Sequence, residues 1–366
     1  MKRISMKNPG TNQGPDVKKY PNIKLLPFQV WGGHTVAVEK CLEVSPYQIN
    51  VGHRDRPIKA VKALGLTNVK RHDLNARGNY IGRVVLLEGD YNYSVSLGKG
   101  NRREGTVRLC INETGMGMPT AGIISREMVA QSKKLPFSGG KGLFQIRVGT
   151  ALGINGDGER KRDIGDVVVV DENVCYHGAI DESLGAFMPL NPALSTRHDM
   201  KKSQEMLEFW SELGGRPTRD TKFLINKNSS LMTEILSAAC SDNGFSYSVG
   251  GTYSKIDLYG EFPGIMLKLY RKYKVVASEM EQAMNAYVAD LARYWLGLRV
   301  MTGSVLGLVG YVEISRKEGG KLDVSGKPFG KTPSEKRAMK SGVDHALVAA
   351  ADGLAMIKEK IEDASF

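Results

Sequence analysis

Three glycine-bearing turns and one acidic pair are the places where this 366-residue chain could do chemistry. The first turn is Val51-Gly52-His53-Arg54-Asp55-Arg56. Glycine lets backbone N–H groups approach an anion, and an arginine on the first turn of a following helix can grip it in bidentate fashion. The second is Thr114-Gly115-Met116-Gly117-Met118-Pro119-Thr120, a strand-to-helix turn whose amides could face an anion or a sugar. The third is Ile146-Arg147-Val148-Gly149-Thr150, where a guanidinium and a rotating hydroxyl share a strand tip, a donor set suited to phosphate. The acidic pair is Glu279-Met280-Glu281, at the start of an apolar helical stretch. One carboxylate there could accept hydrogen bonds from two vicinal hydroxyls of a sugar. The plainer alternatives are a turn with a surface arginine at the first and third sites and a helix cap at the acidic pair. Neither GxxxxGK[ST] nor GxGxxG occurs, which removes the P-loop and the dinucleotide fingerprint.

These groups need strands that end in turns. Tyr47–Val51 reads as a buried strand leading into a helix over 56–64, with Pro57 in its first turn. Strand-like pieces follow at 84–87, 91–97 and 107–111, the last two separated by a polar turn over 98–105. A helix is expected from Pro119 to Met128, and a strand over 144–148 that ends at Gly149-Thr150. The four valines between Asp166 and Asp171 have the composition of a central strand. A helix over 229–243, a strand over 275–279, a helix over 282–296 and a strand over 299–309 follow. A last helix over 334–362 should break near Gly342. The polar stretches 155–163 and 313–333 read as surface insertions. The pattern predicts an α/β fold: one domain over 23–366, with a central mixed β-sheet flanked by helices, behind a flexible arm over 1–22.

Composition narrows the function classes. The chain is 41% hydrophobic and 25% charged, and it contains no apolar run long enough to span a membrane. Its four cysteines are scattered without a CxxC, which indicates neither a disulfide framework nor a zinc site, and its start lacks a secretory core. A cytoplasmic protein is expected. The net charge of +12 is spread along the chain in short clusters such as Arg102-Arg103 and Lys133-Lys134. These are not interleaved with aromatics, so nucleic acid is not an expected partner.

Taken in order, these motifs resemble the nucleoside phosphorylase-I superfamily, which holds uridine phosphorylases and hexameric-type purine nucleoside phosphorylases. The resemblance covers roughly residues 34–312, and the C-terminal helix also fits. It implies that Gly52, Arg56, Arg147 and Thr150 bind phosphate, although the Asp-Pro at the centre of the family's first motif is replaced here. It implies that Glu281 holds the ribose 2′- and 3′-hydroxyls, with Met280 beneath the sugar and Glu279 beside them. Arg77, in Ala76-Arg77-Gly78, resembles the arginine that a neighbouring subunit closes on phosphate. His34, eighteen residues before Gly52, resembles the histidine that reaches the ribose 5′-hydroxyl across the interface. A homo-oligomer with shared active sites, a dimer or a hexamer of dimers, is thereby implied.

The implied reaction is phosphate-dependent cleavage of a ribonucleoside to free base and ribose 1-phosphate. Phosphate is a co-substrate, and no cofactor or metal is called for. Hydrolytic relatives lack the arginines, so Arg56, Arg77 and Arg147 together favour phosphorolysis. For the base, two family signals point in different directions. Purine enzymes place an acid near the positions of Leu306 and Gly307, and none stands there, which favours uridine; Thr150, where purine enzymes more often have serine, agrees. The Gln/Arg pair with which uridine phosphorylases read uracil is missing as well. Tyr259, Glu261 and Leu306 are the candidate base-pocket residues. A purine nucleoside phosphorylase, or a catalytically silent homologue, is the alternative.

Overall fold

The computed structural model describes residues 44–72, 85–98, 100–132, 142–156, 161–176, 197–198, 223–255, 263–296, 298, 300–316, 322–327 and 329–363. The proposed 1–22 arm, His34, Arg77, Tyr259 and Glu261 lie outside them.

The strands are β1 (Tyr47–Val51), β2 (Thr67–His72), β3 (Leu86–Ser96), β4 (Arg102–Glu113), β5 (Leu143–Asn155) and β6 (Val167–Tyr176). They continue with β7 (Arg197–His198), β8 (Phe223–Lys227), β9 (Tyr247–Ser254), β10 (Val275–Glu279), β11 (Val300–Arg316) and β12 (Leu322–Lys327). The described helices are α1 (Arg56–Ala63), α2 (Met118–Ser132), α3 (Ser230–Asp242), α4 (Pro263–Tyr273), α5 (Gln282–Leu296) and α6 (Pro333–Asp363). The sheet runs β12-β11-β6-β9-β10-β5-β1-β4-β3-β2, and β11 also pairs with β5. The stretch β5, β10, β9, β6, β11 therefore closes on itself. The expected mixed α/β sheet is present, with a ring of strands at its centre.

Alternation along the strands sets which side faces what. Ile49, Val51, Ile146 and Val148 enter the main core beneath α3 and α6, which turns Arg147 to the opposite face. Val167 to Val170 are completely buried, as a central strand requires.

Several expected boundaries move. The pieces at 84–87 and 91–97 fuse into β3, because its partner β4 runs unbroken opposite it from Ser96↔Arg102 to Leu86↔Asn112. The turn between them shrinks to the residues around Gly98 and Gly100, whose φ values of 92° and 76° suit glycine. β5 does not stop at Thr150 but runs on to Asn155, and β11 extends past Val309 to Arg316. The supposed insertion 313–333 holds β12, paired antiparallel with the end of β11. The last helix does not break at Gly342. It passes so close to the sheet there that a Cβ on Gly307 would lie 2.6 Å from the Gly342 carbonyl carbon, and one on Gly342 would lie 2.9 Å from Gly165 Cα. Glycine at 342 is a contact requirement and not a helix stop.

Candidate active site

The site forms where β5 changes partners. Along one edge β5 pairs with β1 as far as Val51↔Val148, and from Ser278↔Leu152 onward it pairs antiparallel with β10. Between lie Gly149, Thr150 and Ala151. The chain leaving β1 supplies Gly52 and then α1, while the chain leaving β10 supplies Met280 and Glu281 and then α5. Two segments far apart in sequence thus meet end to end over the middle of β5. A cavity of about 410 Å³ fills the break, within the range that small-molecule sites occupy.

Arg147 and Glu281, both lining it, form an ion pair with side chains only 3% and 8% exposed. The guanidinium also donates to the Val148 carbonyl at 3.2 Å. The other Glu281 oxygen accepts the Gly117 N–H at 2.8 Å. Gly117 has φ +83°, so the second glycine turn does present an amide to an anion, and that anion is the protein's own carboxylate. Burial alone would raise the Glu281 carboxyl, but the Arg147 charge, the Gly117 amide and Arg56 outweigh it and hold it below the ordinary carboxylate value.

Arg56 reaches the Thr150 hydroxyl at 3.4 Å. Its burial and the nearby Arg147 charge lower its pKa, with Glu281 acting in the opposite sense. Two guanidinium groups beside one carboxylate make this corner a place where a further anion is welcome. Gly52 lies close to the pair, since a Cβ there would sit in ordinary contact, 3.5 Å from the Arg147 nitrogens and 3.4 Å from the Gly115 carbonyl. Gly149 is tighter still, at 3.2 Å from the same guanidinium.

Glu279, expected beside the sugar, also lines the cavity and is held by the protein's own donors. One oxygen accepts the Ser254 hydroxyl, and the other accepts the N–H groups of Glu281 at 2.6 Å and Gln282 at 2.9 Å. It caps α5 and ties its start to β9, so the capping alternative holds for this carboxylate. Burial first, and the neighbouring Glu281 second, push its pKa from 4.5 up to about 7. A carboxyl raised on folding favours the protonated state, so stability should fall as pH rises from about 4.5 to about 7. Glu279→Gln should flatten that slope in urea unfolding across the window, and an unchanged slope would assign the dependence to other groups.

Sequence reasoning thus placed Gly52, Arg56, Arg147, Thr150, Met280 and Glu281 on one cavity. Leu306 is not among its lining residues. It is fully buried, packed with Ala151, Val168 and Leu308. The residue that β11 presents to the cavity is Val309, at a β-bulge where the register against β5 shifts between Leu308 and Gly310. Val309 is no more an acid than Leu306 is. The cavity also takes in His53, Met116, Lys255, Ser278 and Phe329, which motif spacing did not single out. Met116 lay inside a recognised turn, while Phe329 lay in a stretch whose lysine and glycine content concealed it.

Among the described residues no cluster of His, Cys, Asp and Glu could hold a metal ion, and no helix is long and apolar enough to cross a membrane. No protein-family model matches the chain, and no curated protein matches it in sequence. Solved structures do match. Uridine phosphorylase from Vibrio fischeri complexed with 6-hydroxy-1-naphthoic acid aligns over 86% of this chain and 92% of its own, at 16% identity and a TM-score of 0.50. A second structure of uridine phosphorylase from Vibrio fischeri aligns over 90% and 99%, at 16% identity and a TM-score of 0.51. At that identity the likeness concerns the backbone path, and on it the chain is a single-domain α/β protein with a nucleoside phosphorylase-like fold.

Proposed function

We propose that this chain is a nucleoside phosphorylase, a pentosyltransferase that cleaves a ribonucleoside with inorganic phosphate and favours uridine. The observation that carries the reading is the buried Arg147–Glu281 pair at the break in β5 pairing, flanked by Gly52, Arg56 and Thr150. Phosphate sits against the Gly52 turn, held by Arg56, Arg147 and the Thr150 hydroxyl, and these groups aim one oxygen at C1′. Glu281 takes the 2′- and 3′-hydroxyls of the ribose, and Met280 lies against the sugar face. As the bond from C1′ to the base lengthens, positive charge grows on the sugar. Phosphate and Glu281 stabilise it electrostatically, in a site where buried charges act strongly. The nucleophile is the second substrate, so the protein supplies position and field and needs no cofactor.

Arg77 and His34 complete the site from a neighbouring subunit in this reading, which makes the working form a homo-oligomer in the cytoplasm. The test is a panel of nucleosides with and without phosphate, scored by release of free base and ribose 1-phosphate. Uracil should appear from uridine only when phosphate is present. Hypoxanthine from inosine in its place would select the purine enzyme. No base from any nucleoside at micromolar protein would identify a catalytically silent homologue.

A further inference from the structure

One end of the cavity carries polar groups to which the phosphate and ribose contacts give no role. Leu152 lies four residues beyond Val148 on β5, about 13 Å along the strand. Ser278 stands opposite it on β10. Ser278 is 3% exposed, it lines the cavity, and its hydroxyl oxygen has no hydrogen-bond partner. Leaving a buried hydroxyl without a partner costs free energy that a ligand acceptor or donor would recover. Lys255 extends the β9 ladder by one residue, its N–H donating to the Glu279 carbonyl at 2.9 Å. Ser254 and Glu279 face each other on one side of this strand pair. Alternation then puts Ser278, Met280 and Lys255 on the other side, toward the cavity they line. Lys255 is 5% exposed, so a cation is built into this wall. The Gly330 N–H bonds the Val309 carbonyl at 3.2 Å, and Phe329, the residue before it, lines the same cavity and is 54% exposed.

A cation, a hydroxyl, an apolar floor and an exposed ring suit a flat heterocycle that bears carbonyl oxygens. Both carboxylates of the cavity are engaged elsewhere, Glu279 by the start of α5 and Glu281 by Arg147. Resting on the phosphorylase reading, we propose that Lys255, Ser278 and Phe329 form the base subsite, and that it takes an oxo-pyrimidine base which departs as its anion. The C1′–N bond breaks with both electrons going to the base, whose carbonyl oxygens carry the charge toward Lys255. A phosphate oxygen bonds to C1′, and the proton that hydrogen phosphate brought ends on the base. The ammonium has three N–H donors, so it can serve a protein acceptor and the base together.

The experiment compares wild type, Lys255→Met, Lys255→Arg and Ser278→Ala on uridine, 5-fluorouridine and inosine with saturating phosphate, alongside each variant's thermal midpoint. Lys255→Met should lower kcat on uridine by about 10²–10³-fold. On 5-fluorouridine, whose base is the more acidic leaving group, the loss should be at least about tenfold smaller. Lys255→Arg should retain most activity, and Ser278→Ala should raise KM for uridine while kcat changes less. Equal losses of Lys255→Met on both pyrimidines, or none, overturn the subsite. Should Lys255→Met fail to fold, an unchanged KM in Ser278→Ala overturns it. Wild-type cleavage of inosine but not uridine overturns the subsite and leaves the phosphorylase reading standing. No cleavage of any nucleoside overturns both.

Discussion

Arg147→Met should remove phosphorolysis by about 10²–10³-fold and destabilise the protein by about 3–5 kcal/mol at neutral pH. Both effects come from the same guanidinium. It is 3% exposed and paired with a carboxylate that is 8% exposed, so its removal strands a charge with little access to water. Met fills part of the volume and supplies no donor. Glu281 sits below the ordinary carboxylate value in the native state. Its contribution to stability is therefore present above the unfolded pKa and lost as pH falls through the folded one. Without Arg147 that carboxyl should rise, so the deficit of the variant should shrink as the pH is lowered and Glu281 takes up a proton. Adding Glu281→Gln to Arg147→Met should restore most of the stability and none of the activity. Urea unfolding of the two single variants and the double variant measures the coupling directly. Additive losses would mean that the pair does not act as a unit.

Gly307→Ala should cost about 3 kcal/mol, with no atom of the cavity involved. The added Cβ would lie 2.6 Å from the Gly342 carbonyl carbon, 2.7 Å from its oxygen and 2.7 Å from the Val343 nitrogen. All three atoms are backbone, so no side chain can swing away, and α6 must lift from β11. That helix buries Ala346, Ala350 and Leu354 in the main core, and lifting it opens the packing along its length. The urea midpoint reads the effect. A midpoint equal to wild type would show that the helix rides over the extra carbon freely.

How much of this was legible in the sequence differs by element. β1, β10 and α5 were delimited correctly, because each is a compact apolar run with a glycine or an acid at its end. Arg147, Thr150 and Glu281 were found because a glycine or a second acid marks each position. β5 was cut short because Gly149 and Thr150 resemble a strand end. In fact the strand persists and its neighbour changes, which is a tertiary event that no local signal carries. Leu306 is a candidate in the sequence and Val309 is not, because the bulge that re-aims β11 depends on the register against β5. Lys255 comes just after β9 and Phe329 just after β12, far apart in sequence, and only the closed ring of strands brings them to one cavity.

The break in the pairing of β5 also has a consequence for how the chain folds. Arg147 and Glu281 are 134 residues apart, and Arg56 and Thr150 are 94 apart. Neither contact can form until long loops have closed, and loop closure is entropically costly before such contacts reward it. A chain returning from denaturant therefore completes hairpins such as β3–β4 before it completes this cavity. Binding competence is a late property of the folding chain, and a fragment that ends before β10 carries Arg56, Arg147 and Thr150 in its sequence but lacks the Glu281 carboxylate.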